Sequence, residues 1–244
     1  MNSMVVLPLL STLVSILFAA MVLDQYRRRH KPYQLVWTVG LVWYAISAGT
    51  EFLGNAFGWS VELYRWWYII GAFYVAAYLG MGTVYLLAPR RYAHAVMAVL
   101  ALGSLYAAYR VLAAPVDAAL LPAAGEIVSG RALPGEVRIL TPFFNVFGAG
   151  ALVLGAVYSA WYFWRRGVMG HRVASNVLIA LGAFIPSLTS GLSRFGITGA
   201  FFLGELLGVV IIFLGFLVSV EVFDRRPALR NATTEAQRTL KADR

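Results

Sequence analysis

Three polar residues recur at helical spacing inside an otherwise apolar stretch of this chain. Ser47, Glu51 and Asn55 lie four residues apart, so a helix places them along one face. A charge at bilayer depth costs at least about 2.5 to 3.5 kcal/mol, so such a residue normally faces the bundle interior, a partner or a wet cavity. We therefore predict that Glu51 faces an internal site, where it could contact a polar or cationic group.

The composition is typical of an integral membrane protein. The 244 residues are 60% hydrophobic and only 13% charged, whereas a soluble domain of this size would carry far more charge. The absence of cysteine excludes disulfides and cysteine-ligated metal sites. The net charge of +9 falls in short clusters between apolar segments, a pattern that favours membrane orientation signals over nucleic-acid binding.

Apolar segments long enough to cross a bilayer core predict an all-α bundle of seven transmembrane helices. About 20 residues suffice for one crossing. The predicted domain covers residues 1–223 and is followed by a short polar tail, 224–244. The predicted spans are 5–23, 34–58, 61–87, 92–113, 141–164, 171–194 and 199–222. The long loop 114–140 could cover a site as a lid or could be a disordered connector.

Basic clusters predict the orientation of the bundle. The first four residues carry no Lys or Arg, whereas QYRRRHK follows the first apolar core, so we expect a retained helix rather than a signal peptide. About 15 of the 20 basic residues then lie on one side, which the positive-inside rule assigns to the cytoplasm. We predict a multi-pass protein of a prokaryotic cytoplasmic (inner) membrane, surrounded by membrane lipids, with its amino terminus outside and its carboxyl terminus cytoplasmic.

In this topology the polar residues of the spans meet in the outer half of the bundle. Glu205 of the seventh span lies at the depth of Glu51, and Ser187 and Ser190 share one face of the sixth span. The inner half is mostly apolar, which disfavours an ion channel or a proton pump. We predict an outward-facing small-molecule pocket. Its predicted ligand-binding residues are Trp43, Glu51, Asn55, Trp67, Tyr68, Tyr74, Tyr78, Arg110, Asn145, Ser187, Ser190, Arg194 and Glu205.

Two other interpretations of the buried acids remain open. Glu51 and Glu205 could each pair with a buried arginine in a network that fixes helix register and binds no ligand. The arginines available for such a network are Arg65, Arg110 and Arg194. The two acids could also form a hydrolytic acid/base pair. No nucleophile elbow or metal cluster supports catalysis, so we expect no enzyme, no catalytic residue, no metal and no cofactor.

Several familiar classes of membrane protein are excluded or disfavoured. A retinal protein needs a lysine in its last helix, but Lys31 and Lys241 both lie outside the spans. A haem subunit needs histidine ligands within helices, whereas His30, His94 and His171 lie near the predicted cytoplasmic ends. No internal repeat of the kind that builds many transporters is evident.

Three stretches of the spans carry a pattern of aromatic and special residues. They are VWYAISAGTEF in span two, RWWYIIGAFYVAAYLGMGTVYLL in span three and HRVASNVLIALGAFIPSLTSGLSRFG in span six. Over residues 34–222 the chain resembles the seven-helix membrane region at the amino terminus of some prokaryotic sensor histidine kinases. The resemblance implies signal reception by the bundle, with Glu51 and Pro186 as matched positions. No kinase domain follows, so we expect a stand-alone relative that acts through a partner.

These observations predict a receptor-like or sensory protein that binds an unknown small molecule in the outer half of the bundle. One alternative is a non-enzymatic subunit of a larger membrane complex, whose basic cytoplasmic face docks a partner protein or anionic lipids. Another is a transporter of a small amphipathic or lipid-like solute. No nucleic-acid partner is expected.

Overall fold

The computed structural model describes residues 3–123, 126–167, 170–194 and 200–219, which are helical and contain no β-strand. The all-α prediction is therefore confirmed for these residues. The predicted tail, both ends of the predicted seventh span and the side chain of Arg194 lie outside the described part. The long helices are α1 (Ser3–Arg29), α2 (Pro32–Phe57), α3 (Val61–Leu87), α4 (Arg90–Ala113), α5 (Thr141–Arg165), α6 (Gly170–Arg194) and α7 (Phe201–Ser219).

Six of these helices are long and apolar enough to cross a membrane. Large apolar side chains cover their outer faces, including Leu13, Val99 and Phe143, which are 54%, 72% and 70% exposed. Such faces suit contact with acyl chains, as expected of a multi-pass membrane protein. α2 is not among the six, because its tryptophans, tyrosines and polar residues lower its mean hydropathy. Its 26 residues are nonetheless roughly 39 Å long, enough for a crossing.

α2 lies at the centre of the bundle. Twelve of its residues are buried, among them Gln34, Thr38 and Glu51. It packs along α1 and α3, and the Tyr44 hydroxyl donates a hydrogen bond of 2.8 Å to the Glu205 carbonyl of α7. The neighbouring helices therefore shield the polar face of α2 from lipid, which explains how a helix of low hydropathy fits this position.

α3 contains an irregular segment that the sequence did not predict. Residues Tyr68–Tyr74 are π-helical, and the Val75 amide at their end donates to the Ile70 carbonyl. Such segments are rare and occur frequently at functional sites. This one borders the cavity described below.

Residues 114–140 form what we term the cap segment, which begins at the end of α4. The segment contains two 3₁₀ turns, Ala118–Leu120 and Gly130–Ala132, and one helical turn, Gly135–Arg138. A hydrogen bond from the Asp117 amide to the Ala132 carbonyl, 3.0 Å long, draws its two halves together. The described residues of the segment, 114–123 and 126–140, therefore have a defined local structure.

The cap segment packs against the start of α3. Its residues Val128, Leu133 and Val137 are buried in one cluster with aromatic residues of α3. The Tyr64 hydroxyl donates to the Ser129 carbonyl over 2.8 Å. Of the two sequence-based alternatives, the structure favours a folded cover over a disordered connector.

Glycines bring α3 and α5 into close contact. A Cβ on Gly148 would lie 2.1 Å from the Ala76 carbonyl carbon, and a Cβ on Gly80 would lie 2.4 Å from the Gly148 carbonyl oxygen. Only a residue without a side chain fits such a crossing. Close packing also surrounds Gly155 of α5 and Gly204 and Gly208 of α7, where an added Cβ would meet a neighbouring side chain at 2.4 Å or less.

We expect Gly148→Ala to lower the stability of the bundle, because the new methyl group must displace backbone atoms of α3. Overpacking of this kind typically costs about 1 to 3 kcal/mol. The midpoint of thermal unfolding in detergent measures the effect. Gly150→Ala is the matched control on the same helix, since a Cβ there meets nothing within 4 Å. Equal midpoints for the two variants would contradict the close crossing.

Candidate ligand-binding site

A cavity of about 370 Å³ lies between the cap segment and the adjoining ends of α2, α3, α5, α6 and α7. Small-molecule sites typically enclose about 300 to 1,000 Å³. Its polar and aromatic lining residues are Tyr44, Ser47, Glu51, Trp67, Tyr68, Ser129, Arg131, Arg138, Thr141, Asn145, Ser190, Phe201 and Glu205. The cavity thus combines apolar surface with a few convergent polar groups, as ligand sites usually do.

The carboxyl group of Glu51 lies at the deep end of this cavity. Glu51 is 1% exposed, and its Oε1 accepts a hydrogen bond of 2.8 Å from the Trp67 indole N–H. Its Oε2 is buried and accepts no hydrogen bond from an N–H group or a hydroxyl of the described residues. A buried acceptor without a donor costs about 1 to 3 kcal/mol, and more when it is charged. This oxygen therefore needs a donor, which is either a protonated carboxyl nearby or a bound group.

Glu205 of α7 brings a second carboxyl group to the same place. Its side chain lies within hydrogen-bonding reach of the Glu51 carboxyl, and the bond from Tyr44 to its backbone carbonyl holds α7 against α2. Two carboxylates in contact repel each other strongly where water is scarce, and one positive charge between them relieves the repulsion. That charge is either a shared proton or a cation.

Hydrogen bonds fix the wall of the cavity opposite α2. The Asn145 side chain donates to the Ala72 carbonyl at 2.9 Å and to the Thr141 carbonyl at 3.1 Å. The Tyr68 hydroxyl and the Thr141 hydroxyl lie 2.8 Å apart. The Asn145–Ala72 and Tyr68–Thr141 contacts connect α5 to the π-helical segment of α3. The irregular part of α3 is thereby held in place where it faces the cavity.

Two arginines of the cap segment line the cavity but were not predicted. Arg131 and Arg138 are exposed, in contrast to the buried Glu51. Neither forms an ion pair with any residue in the described ranges. The sequence signal that could have identified them is their position in the loop 114–140, for which a lid over the site was one of the two alternatives. The cavity is therefore acidic at its deep end and basic at its exposed end.

Six of the thirteen predicted ligand-binding residues line the cavity. Those residues are Glu51, Trp67, Tyr68, Asn145, Ser190 and Glu205. Trp43, Tyr74 and Tyr78 do not line the cavity, which corrects their prediction as ligand-binding residues. Their rings contact one another at centroid distances of 5.6 to 6.5 Å. The Tyr74 hydroxyl donates to the Ser104 carbonyl at 3.0 Å, so this cluster faces α4.

Three further predicted residues, Asn55, Ser187 and Arg110, do not line the cavity either. Asn55 is buried, and its side-chain amide contacts no hydrogen-bonding partner among the described residues. The Ser187 hydroxyl donates to the Ala183 carbonyl of its own helix at 2.9 Å. Arg110 pairs with Glu136 at 2.9 Å. The side chain of Arg194 falls outside the described part of the chain.

The predicted arginine network does not form with Arg65 or Arg110. Arg65 pairs with Glu62 at 3.2 Å and donates to the Ala114 carbonyl at 3.1 Å, while Arg110 is held by Glu136. Both arginines anchor the ends of the cap segment instead. Within the described ranges, neither supplies a positive charge to Glu51.

Comparisons with protein-family models, with curated proteins and with solved structures found no match to this chain. Within the described ranges, no three His, Asp or Glu side chains cluster as a metal site would require. The geometry of the cavity is therefore the basis for a functional proposal.

We expect Trp67→Phe to destabilise the protein, because it removes the indole N–H that donates a hydrogen bond to the buried Glu51 carboxyl. Loss of a donor to a buried acceptor typically costs about 1 to 3 kcal/mol. Thermal unfolding in detergent measures the change. Trp66→Phe is the matched control, because Trp66 is 52% exposed and precedes Trp67 directly. The same shift in both variants would show that the bond to Glu51 contributes nothing.

Proposed function

We propose that this chain is a receptor-like, sensory membrane protein that binds a small molecule in the cavity beneath the cap segment. The observation that carries the proposal is the pair of acids Glu51 and Glu205 beside the cavity, in which the buried Glu51 Oε2 atom accepts no hydrogen bond from an N–H group or a hydroxyl of the described residues. A ligand with a positively charged group would supply that donor and relieve the repulsion between Glu51 and Glu205. The proposed role is therefore binding, with no enzymatic step.

Aromatic side chains around the acids support recognition of a cation. Tyr44, Trp67, Tyr68 and Phe201 line the same cavity. Aromatic faces attract cations, by about 0.5 to 2 kcal/mol depending on solvent exposure. In this proposal the four residues contact the apolar part of the ligand, whereas Trp43, Tyr74 and Tyr78, which the sequence predicted as ligand-binding, do not line the cavity.

The packing beneath the cavity favours a receptor over a transporter. Below Tyr44 the helices meet in an apolar cluster that includes Phe18, Leu41, Leu79 and Val209. A transported polar solute would need a polar route past this layer. The residues of the cluster offer none, so the proposed site opens on one side only.

We further propose that all seven helices, α2 included, cross a prokaryotic inner membrane with the cap segment outside. Basic residues support this orientation, because they cluster at the ends of the helices opposite the cap segment. Examples are Arg27 and Arg28 at the end of α1, Arg90 and Arg91 at the start of α4, and Arg165 at the end of α5. Such clusters favour the cytoplasmic side and anionic lipid headgroups.

Signal output in this proposal passes to a separate partner protein at the basic cytoplasmic face. The resemblance to the membrane region of sensor histidine kinases supports a sensory role, and Glu51, one of its two matched positions, lines the cavity. The second matched position, Pro186, packs against Gly208 of α7. A ligand that draws Glu51 of α2 and Glu205 of α7 together would act on α7, the helix that also packs on α6 at Pro186.

Cysteine labelling tests the orientation, because the natural sequence contains no cysteine. Glu126→Cys places a thiol at an exposed position of the cap segment, and Arg166→Cys places one at an exposed position after α5. In intact cells we expect a membrane-impermeant maleimide to label only the first variant. Permeabilised cells, in which both should react, provide the control. The reverse pattern would overturn the proposed topology.

A thermal-shift screen of small organic cations against the purified protein tests the binding site. We expect at least one compound to raise the unfolding midpoint, with an affinity that falls roughly 10-fold to 100-fold in Glu51→Gln. This range corresponds to the loss of a charged hydrogen bond, about 1.5 to 3 kcal/mol. Glu62→Gln, an exposed acid on α3 whose side chain is 70% exposed, should bind as the natural protein does. Affinity unchanged by Glu51→Gln would contradict the proposal.

A further inference from the structure

Charged groups of opposite sign occupy the two ends of the cavity, and this arrangement specifies more than a cation site. We infer that the ligand is a zwitterion, with an ammonium group bearing N–H bonds at one end and a carboxylate or phosphate at the other. The ammonium contacts Glu51 and Glu205, and the anionic group contacts Arg131 and Arg138. This inference rests on the proposed function and names the chemical class of its ligand.

The deep end of the cavity suits a cationic donor. The Glu51 Oε1 atom has its donor in Trp67, whereas Oε2 accepts no bond from an N–H group or a hydroxyl of the described residues. The Glu205 carboxyl within reach of Glu51 can donate only while it holds a proton, and a bound ammonium takes the place of that proton. A quaternary ammonium carries charge but has no N–H to donate, so it would leave Oε2 unsatisfied. A primary or secondary ammonium both donates and neutralises the repulsion between the two acids.

The exposed end of the cavity requires an acceptor. Arg131 and Arg138 both line it, and no acid in the described ranges pairs with either. Glu136, the acid on the same helical turn as Arg138, is engaged by Arg110 at 2.9 Å. Guanidinium groups match carboxylates and phosphates in a two-pronged geometry. In this proposal the anionic group of the ligand binds to these two guanidinium groups.

Burial assigns the orientation of the ligand in the cavity. Glu51 is 1% exposed, whereas Arg131 and Arg138 are exposed. The ammonium therefore enters first and the anionic group remains near the cap segment. Two sources offer this chemistry, a free amino acid-like solute and the headgroup of an aminophospholipid.

The first experiment uses the purified full chain in detergent and five soluble probes, with binding measured by thermal shift and calorimetry. The probes are 4-aminobutyrate, phosphoethanolamine, phosphocholine, butylamine and butyrate. We expect saturable binding of at least one of the first two. Butylamine and butyrate, each with one of the two charges, should bind at least tenfold more weakly than that zwitterion. Phosphocholine, which lacks N–H bonds, should bind at least tenfold more weakly than phosphoethanolamine.

Substitutions separate the two ends of the site. Arg131→Gln combined with Arg138→Gln changes only exposed side chains, so the variant should fold, bind the zwitterion at least tenfold more weakly and leave butylamine binding unchanged. Glu51→Gln should weaken both ligands. The matched control is Arg90→Gln combined with Arg91→Gln, which removes the same number of positive charges at the other end of the bundle.

Membranes of defined composition then identify the source. If the protein is more stable in phosphatidylethanolamine nanodiscs than in phosphatidylcholine nanodiscs, and Glu51→Gln abolishes the difference, the ligand is the lipid headgroup. Equal stability in both nanodiscs, with soluble zwitterion binding intact, would assign a free solute.

The inference and the proposed function fail in different ways. Butylamine or phosphocholine binding as tightly as the zwitterions, no binding of either zwitterion, or no effect of the double arginine variant would each overturn the zwitterion inference. The proposed function would survive those results, provided that some other ligand loses affinity in Glu51→Gln.

Discussion

The burial of one carboxyl group constrains the arrangement of this bundle. A charge costs several kcal/mol in an apolar medium unless it is paired or hydrogen-bonded. Glu51 therefore needs protein on every side, and α2 occupies the centre, between α1, α3 and α7. The same position accommodates the tryptophans, tyrosines and amides of α2.

The site itself is built from the irregular parts of an otherwise regular bundle. The π-helical segment of α3 borders one wall, and the cap segment covers the end. Irregular backbone at membrane depth is tolerated where protein covers it or where it lines a cavity. The Asn145 side chain donates a hydrogen bond to the Ala72 carbonyl of the π-helical segment. The Tyr64 hydroxyl likewise donates to the Ser129 carbonyl of the cap segment. Aromatic and amide side chains thereby replace the backbone pairing that regular helices provide.

The distribution of charge suggests how binding would couple to conformation in the proposed receptor. Glu51 belongs to α2, Glu205 to α7, and the two arginines to the cap segment. A ligand shifts a population only by the difference in its affinity for two conformations. A ligand that contacts all three elements therefore stabilises the conformation in which they lie closest together. α7 packs on α6 through Gly182 and Gly208, so movement of α7 would be transmitted to α6.

Local properties of the residues were enough to predict part of this structure. Long apolar segments predict long helices, and the cost of a buried charge places Glu51 and Glu205 inside the bundle, because both effects depend on single segments and their solvent. Helical spacing, however, assigns a residue only to a face and a depth. Which neighbour that face meets is decided by packing, so Trp43, Tyr74 and Tyr78 turn toward α4 while Arg131 and Arg138 reach the cavity from the cap. Those contacts join residues distant in the chain, and only the tertiary structure brings them together.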